Sequence, residues 1–243
     1  MKLKLPQLIA TLSLGTGIDS LPLVLVAGGR PPKPDWLRKL AENNNDTPFW
    51  AIDRGIDSCR QAGIIPRRLL GDADSARSTS WKWAEQQEVP IDRFPAAKNL
   101  TDFQLALQLS QTDYGNRFLL ATGAFGGRLD HAFSLLHSLT GDGRPGCLAD
   151  HQEVVIILRG GEAAGIAFRE TDNKVAALSL LPLSPNCSGV SVSGVRWPLE
   201  KAALTQKLPY AVSNELLQEA KKISVSLTDG VLGIYLLFGS LKA

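Results

Sequence analysis

Continuous apolar runs and stretches of helical spacing take turns along the first two-thirds of the chain. LPLVLVAGG (21–29), PFWAID (48–53), RRLLGD (67–72), PIDRFP (90–95), RFLLATG (117–123) and EVVIIL (153–158) read as strands. The longer runs lack polar alternation, as expected of strands covered on both faces. Between them, PDWLRKLAEN (34–43), GIDSCRQAG (55–63), STSWKWAEQQ (78–87), LTDFQLALQLS (100–110) and GRLDHAFSLLHSL (127–139) have helical periodicity. Trp36, Leu37 and Leu40 share one such face, and Phe103, Ala106 and Leu107 another. Gly63 offers a helix stop, and Thr101 or Asp102 a helix start. This alternation predicts a largely parallel sheet with crossover helices, an α/β unit of Rossmann-like type over residues 20–160.

Past residue 160 the pattern changes. GIAFRE, VAALSLLPL, GVSVSGVRW and KKISVSLTDGVLGIYLLF are short, partly alternating runs separated by Gly, Pro, Asn and Ser. Helical spacing is confined to NELLQEA. These runs predict an antiparallel β-sandwich or barrel over residues 161–243, joined to the first unit near Gly160–Gly161.

Composition narrows the function classes. The 243 residues are 44% hydrophobic and 21% charged, ordinary for a globular protein of this size. The 26 basic residues nearly balance the 24 acidic ones, so bulk charge gives no argument for nucleic acid or a membrane surface. Cys59, Cys147 and Cys187 are too widely spaced for a zinc site or a disulfide framework. The opening MKLKLPQLIATLSLG carries two lysines before a short apolar run, yet Pro6 interrupts it and it lacks a small-residue cleavage site. With no apolar stretch near the ~20 residues needed to span a bilayer, a cytoplasmic protein is expected.

Acidic residues sit where the strands end. Asp72 and Asp74, two apart in RRLLGDADS, would point to one side of an extended chain, about 6.5–7 Å apart. Such a pair can bind a divalent ion just beyond a parallel strand, or can cap backbone amides in a turn. Asp53 closes another strand candidate, Asp102 begins a helix, and Asp130 follows Arg128 after a fourth strand. Parallel strands end on one side of a sheet, where open α/β folds bind ligands. Several acids there, together with an arginine, point to a metal–nucleotide site. ATGAFGGRLDH (121–131) adds glycines, Gly126 and Gly127 among them, between a strand and a helix. Their N–H groups can approach phosphate closely, and Arg128 can offer a planar fork.

Other apparent motifs carry less. GDGRPG (141–146) fits a dinucleotide-binding pattern in letters, but no helix clearly begins at its end. DADSA is near the strand-end motif of haloacid-dehalogenase-type phosphatases, in which Asp72 would be a nucleophile, yet the chain has no Asp-Asp pair downstream. His131, His137 and His151 lack metal-ligand spacing.

Taken in order, AIDRGIDSCRQAGIIP, LLGDADS, LTDFQLAL, GAFGGRLDH, LSLLPLSPNCSGVSVSGVRWPL and VSNE resemble the thiamine pyrophosphokinase family, from about residue 50 onward. The resemblance implies an α/β nucleotide domain followed by a β-sandwich, in a homodimer. It also implies transfer of a pyrophosphoryl group from ATP to thiamine with Mg2+. By matching motif, Asp53, Asp72, Asp74, Asp102 and Asp130 fall on the family's acidic cluster and Arg128 on its arginine, with Asp72, Asp74 and Asp102 as metal ligands. Thr101, Gly126 and Gly127 fall beside them, while Trp197, Ser213 and Asn214 fall on thiamine-binding segments. The family's thiamine pocket lies between one subunit's α/β domain and its partner's β-domain. Four positions depart from the family's pattern: Arg54 for a glycine, Ala73 for a phenylalanine, Asn99 for an acid and Leu105 for a lysine. They leave open a protein that binds thiamine and nucleotide but turns them over poorly.

Overall fold

The computed structural model describes residues 1–72, 76–95, 99–169, 174–218 and 220–239. The chain divides into two compact units, Leu21–Asp150 on one hand and Met1–Ser20 with His151 onward on the other. The opening residues form β1 (Lys2–Lys4) and β2 (Leu8–Ser13), with Leu3, Leu5, Leu8, Ala10 and Leu12 buried. Their alternation of apolar and exposed positions is that of half-covered strands.

The unit Leu21–Asp150 begins within β3 (Asp19–Val26) and continues through α1 (Pro34–Asn43), β4 (Phe49–Ile52), α2 (Gly55–Ala62), β5 (Arg68–Gly71) and α3 (Ser78–Gln86). There follow β6 (Ile91–Arg93), α4 (Asp102–Tyr114), β7 (Arg117–Thr122), α5 (Leu129–Asp142) and β8 (Gly146–Ala149). Its strands lie in the order β8-β7-β3-β4-β5-β6. β3/β4, β4/β5, β5/β6 and β7/β8 pair in parallel. The chain therefore steps outward from β3 to β6, then returns through α4 to place β7 on the other side of β3. That reversal opens a crevice beyond the strand ends of β3 and β7.

Helix positions follow from burial and caps. α1 turns Trp36, Leu37 and Leu40 inward, as its spacing predicts, and α4 buries Phe103, Ala106 and Leu107. Each large aliphatic side chain so buried is worth about 1.5–3 kcal/mol. The start of α4 is fixed by a capping box: the Thr101 hydroxyl accepts the Gln104 N–H at 3.2 Å, and Gln104 Oε1 accepts the Thr101 N–H at 3.0 Å. At the far end, buried Arg144 donates to Leu107 O (2.8 Å), Ser110 Oγ (3.0 Å) and Asp142, tying α4 to the end of α5.

The other unit continues with β9 (Glu153–Arg159), β10 (Ala163–Phe168), β11 (Val175–Pro182), β12 (Asn186–Ser193), β13 (Leu199–Thr205), β14 (Lys222–Ser226) and β15 (Val231–Phe238). β1-β2-β10-β14-β12-β13 form an antiparallel sheet, and β11-β15-β9 pair antiparallel as well.

Three expectations change here. EVVIIL was expected to end the parallel series, whereas β9 runs antiparallel to β15. Its central residues are all buried, and a strand covered on both faces reads alike in either direction. The division thus falls at residue 150 rather than 160, and β2, paired with β10, joins the later residues. NELLQEA holds no helix among the described residues, because Asn214 and Leu216 instead bridge to Leu178 and Val195.

Candidate active site

Two strand exits meet first. Asp53 follows β4 directly, with φ +48°, a left-handed conformation that Asp tolerates better than most residues. Its N–H donates to Leu70 O at 2.8 Å, which fixes it beside the end of β5. The Asp53 carboxylate then lies on the backbone of Gly71: a Cβ on Gly71 would stand 2.1 Å from Asp53 Oδ1. Gly71, at φ +149°, is thus the residue that leaves room for the acid. Asp72 comes next and is half-buried, so the Asp53 carboxylate rests against the residue that leads into a second acid. Asp74 and Ala73 lie outside the described residues.

Asp102 heads α4, which packs on β4 and β5. One carboxylate oxygen of Asp102, like one of Asp53, is out of contact with solvent. The capping box places this acid in the first turn, where the helix dipole favours negative charge. Asn99 and Thr101, just before it, are exposed.

Beyond β3 and β7 the backbone is unusually close. Ala27 N–H donates to Thr122 O (2.8 Å), Gly29 N–H to Gly123 O (2.7 Å) and Arg30 N–H to Phe125 O (2.6 Å). A Cβ on Gly123 would stand 2.2 Å from Ala27 O, so only glycine lets the two exits touch. Gly126 and Gly127 are both left-handed and lead to Arg128, the residue before α5. The Arg128 fork is placed on Asp130, with Nε–Oδ1 3.1 Å and Nη2–Oδ2 2.5 Å, and both side chains are exposed. The bond from Arg128 holds the Asp130 carboxyl below its usual range, helped by the His131 N–H. The pair stands at the mouth of the glycine turn, where a phosphate oxygen could exchange with Asp130 for the same fork.

The donor chemistry suits a hard cation. Among the described residues no three Asp, Glu, His or Cys side chains are near enough to one another to hold a metal on their own. Mg2+ is ordinarily held by one or two carboxylates plus substrate phosphates, and Asp53, Asp72 and Asp102 supply oxygen donors of that kind.

In the other unit, Trp197, Ser213 and Asn214 line one pocket of about 400 Å³ with Leu178, Leu180 and Tyr210. That volume suits a small organic ligand. Asn214 is its frame: Oδ1 accepts the Trp197 N–H (3.2 Å), Nδ2 donates to Trp197 O (2.7 Å), and its backbone bridges to Leu178. Trp197 is 53% exposed, so it is no core residue of the sheets. Arg196 covers part of the indole, 4.8 Å from the ring centroid, and pairs with Glu215 at 2.9 Å. A larger hollow of about 720 Å³ on the six-stranded sheet has mainly Ser, Ala and Gly walls, with Glu200 as the titratable group of its lining, and offers no comparable chemistry.

Reading the motifs alone missed Gly28, Gly29 and Arg30 at the exit of β3, and Tyr210 in the tryptophan pocket. The glycine pair after a buried strand was a visible signal for the former; Tyr210, in KLPYAV, carried none.

Known proteins bear on both units. The family described as "Thiamin pyrophosphokinase, catalytic domain" matches residues 40–145, and "Thiamin pyrophosphokinase, vitamin B1 binding domain" matches residues 166–232. Thiamine pyrophosphokinase of Bacillus subtilis (strain 168) is 27% identical over 215 residues, covering 86% of this chain and 94% of that protein. The crystal structure of thiamin pyrophosphokinase from Geobacillus thermodenitrificans superposes with a TM-score of 0.74 at 27% identity, covering 91% and 99% of the two chains. The yeast thiamin pyrophosphokinase structure shares the fold at 15% identity, with a TM-score of 0.67 and 91% and 88% coverage. With one matched region in each unit, in chain order, and a shared fold over nearly the full length, the chain belongs to the thiamine pyrophosphokinase family.

Proposed function

We propose that the chain transfers the pyrophosphoryl group of ATP to thiamine at the strand ends of the unit Leu21–Asp150, and holds thiamine through the Trp197 pocket. The observation that supports this reading is the Asp53 carboxylate lying against Gly71, the residue before Asp72, in the unit that also carries the left-handed glycines of the Gly123–Gly127 turn. In this reading Asp72, Asp74 and Asp102 hold Mg2+, with Asp53 beside them. Bound there, the ion would offset phosphate charge and favour departure of AMP.

The chain's own residues do the rest. Backbone N–H groups of the glycine turn and the Arg128 fork bind phosphate oxygens and orient the β-phosphorus toward the thiamine hydroxyl. A new O–P bond forms at that phosphorus as its bond to the oxygen bridging to AMP breaks. A carboxylate of the acidic group takes the hydroxyl proton. Asp130, kept ionised by Arg128, orients that arginine until phosphate arrives. Trp197 offers its free π-surface to the cationic ring of thiamine, and Ser213 and Asn214 offer polar contacts at the rim.

We read the first unit as Rossmann-like and the second as a β-sandwich, in a cytoplasmic homodimer whose sites are completed across the subunit interface. The three cysteines are free and buried, and among the described residues no helix is long and apolar enough to cross a membrane.

The test is direct. With ATP, Mg2+ and thiamine, the chain forms thiamine diphosphate and AMP, and Asp72→Asn abolishes both while the circular dichroism spectrum is kept. Binding of both substrates without turnover in the unaltered chain would instead favour a binding protein, the outcome that Arg54, Asn99 and Leu105 left open. An aspartyl-phosphate trapped on Asp72 would favour a phosphatase.

A further inference from the structure

The crevice has a strap. In the order β8-β7-β3, the ends of β8 and β3 are separated by the exit of β7, the strand that leads into the glycine turn. Arg30, just past β3, crosses that exit. Its Nε and Nη2 donate to Asp150 Oδ2 at 2.9 and 2.7 Å, and Asp150 directly follows β8. The Asp150 side chain is 0% exposed, so solvent screens its pairing with the Arg30 fork little.

Between these two anchors Arg30 touches the turn at successive residues. Its N–H donates to Phe125 O, its guanidinium lies 5.7 Å from the Phe125 ring centroid, and a Cβ on Gly126 would stand 3.0 Å from its own Cβ. The turn is thus pressed between a side chain fixed at both ends and the strand it leaves. Three of the five residues Gly123–Gly127 are glycines, which bring no side chains with which to fix the segment. Arg30 also lies outside the matched region, which begins at residue 40.

We propose that Arg30, held by Asp150, is a positioning residue that sets the Gly123–Gly127 turn for the nucleotide phosphates. This rests on the reading of that turn as the phosphate cradle. Lysine keeps the charge at this position but has no planar fork with which to reach Asp150 while resting on the Phe125 ring.

The experiment compares Arg30→Lys and Asp150→Asn in the full chain, with Gly127→Ala as a probe of the turn itself. Titration calorimetry with a non-hydrolysable ATP analogue and Mg2+, a separate titration with thiamine, steady-state kinetics and thermal unfolding are read on each. Expected for both strap variants is nucleotide binding about tenfold weaker or more, the scale seen when supports of a binding group are removed. The KM for ATP rises in step while thiamine affinity is unchanged. If Gly127→Ala weakens the nucleotide and the strap variants do not, the strap has no such role while the cradle reading stands. If none of the three changes nucleotide affinity, both fall. Parallel loss of nucleotide and thiamine affinity, tracking a lower melting temperature, would make Arg30 a fold-holding residue only. Should Asp150→Asn fail to fold, Arg30→Lys, which keeps the buried acid opposite a cation, decides the matter.

Discussion

Replacing Gly71 with alanine moves an acid without touching it. The new Cβ would stand 2.1 Å from Asp53 Oδ1 and 3.3 Å from Asp53 Cα, where real Cβ contacts essentially never fall below 3.0 Å. The Asp53 carboxylate therefore withdraws by about 1 Å, and a displacement of that size at a positioning group costs on the order of 10²-fold in rate. Gly71 also holds φ +149°, so alanine adds backbone strain of about 1–3 kcal/mol to the folded state. The assay is AMP release at saturating ATP and thiamine, with urea unfolding in parallel to separate rate from stability. Because the substitution acts through Asp53, Gly71→Ala and Asp53→Asn should be far from additive: the double variant should be little slower than the worse single one. A Gly71→Ala enzyme that keeps its fold and turns over within about threefold of the original would refute the placement of Asp53. So would full additivity in the cycle.

Further outcomes follow from other parts of the structure. Arg144→Ala removes a buried fork that serves Leu107 O, Ser110 Oγ and Asp142, and should cost about 3–5 kcal/mol in urea unfolding; a loss under about 1 kcal/mol would contradict that latch. Burial raises the Cys59 thiol to about 12 and the Cys147 thiol likewise above its ordinary 9.0, so a thiol-specific dye at pH 8 should label both only after unfolding. The stabilisation that goes with the Cys59 shift is complete below pH 9 and is lost as pH rises toward about 12, which pH-dependent melting checks. Trp197→Ala should raise the KM for thiamine about tenfold, as loss of a cation–π surface worth ~1–2 kcal/mol requires, and leave the KM for ATP alone.

How much was legible depended on whether a signal is local. FWAI, RLLG and RFLLAT are buried along almost their whole length, so each announces a strand between helices, and Asp53 and Asp72 directly follow the first two. The capped start of α4 was legible for the same reason, since Thr101 and Gln104 are three residues apart. α5 begins at Leu129 rather than at Gly127, because two left-handed glycines cannot start a helix. EVVIIL gave no hint of direction, and β8 is only GCLA, too short to stand out after a loop of Gly and Pro. Strand order is wholly non-local: nothing in the chain's letters places β7 beside β3, so the contact of Gly29 with Gly123 and the reach of Arg30 to Asp150 were invisible. The opening KLKLPQLIATLS did alternate, but with Pro6 in the middle and its partner strand β10 far along the chain, its pairing could not be read.

Whether the strand-end acids hold a divalent ion together with the nucleotide is decided by calorimetric titration of ATP with and without Mg2+. Mg2+ should strengthen ATP binding to the unaltered chain, and Asp72→Asn should remove this dependence while thiamine still binds. Equal ATP affinity with and without Mg2+, or a Mg2+ effect untouched in Asp72→Asn, would contradict that role for the acids.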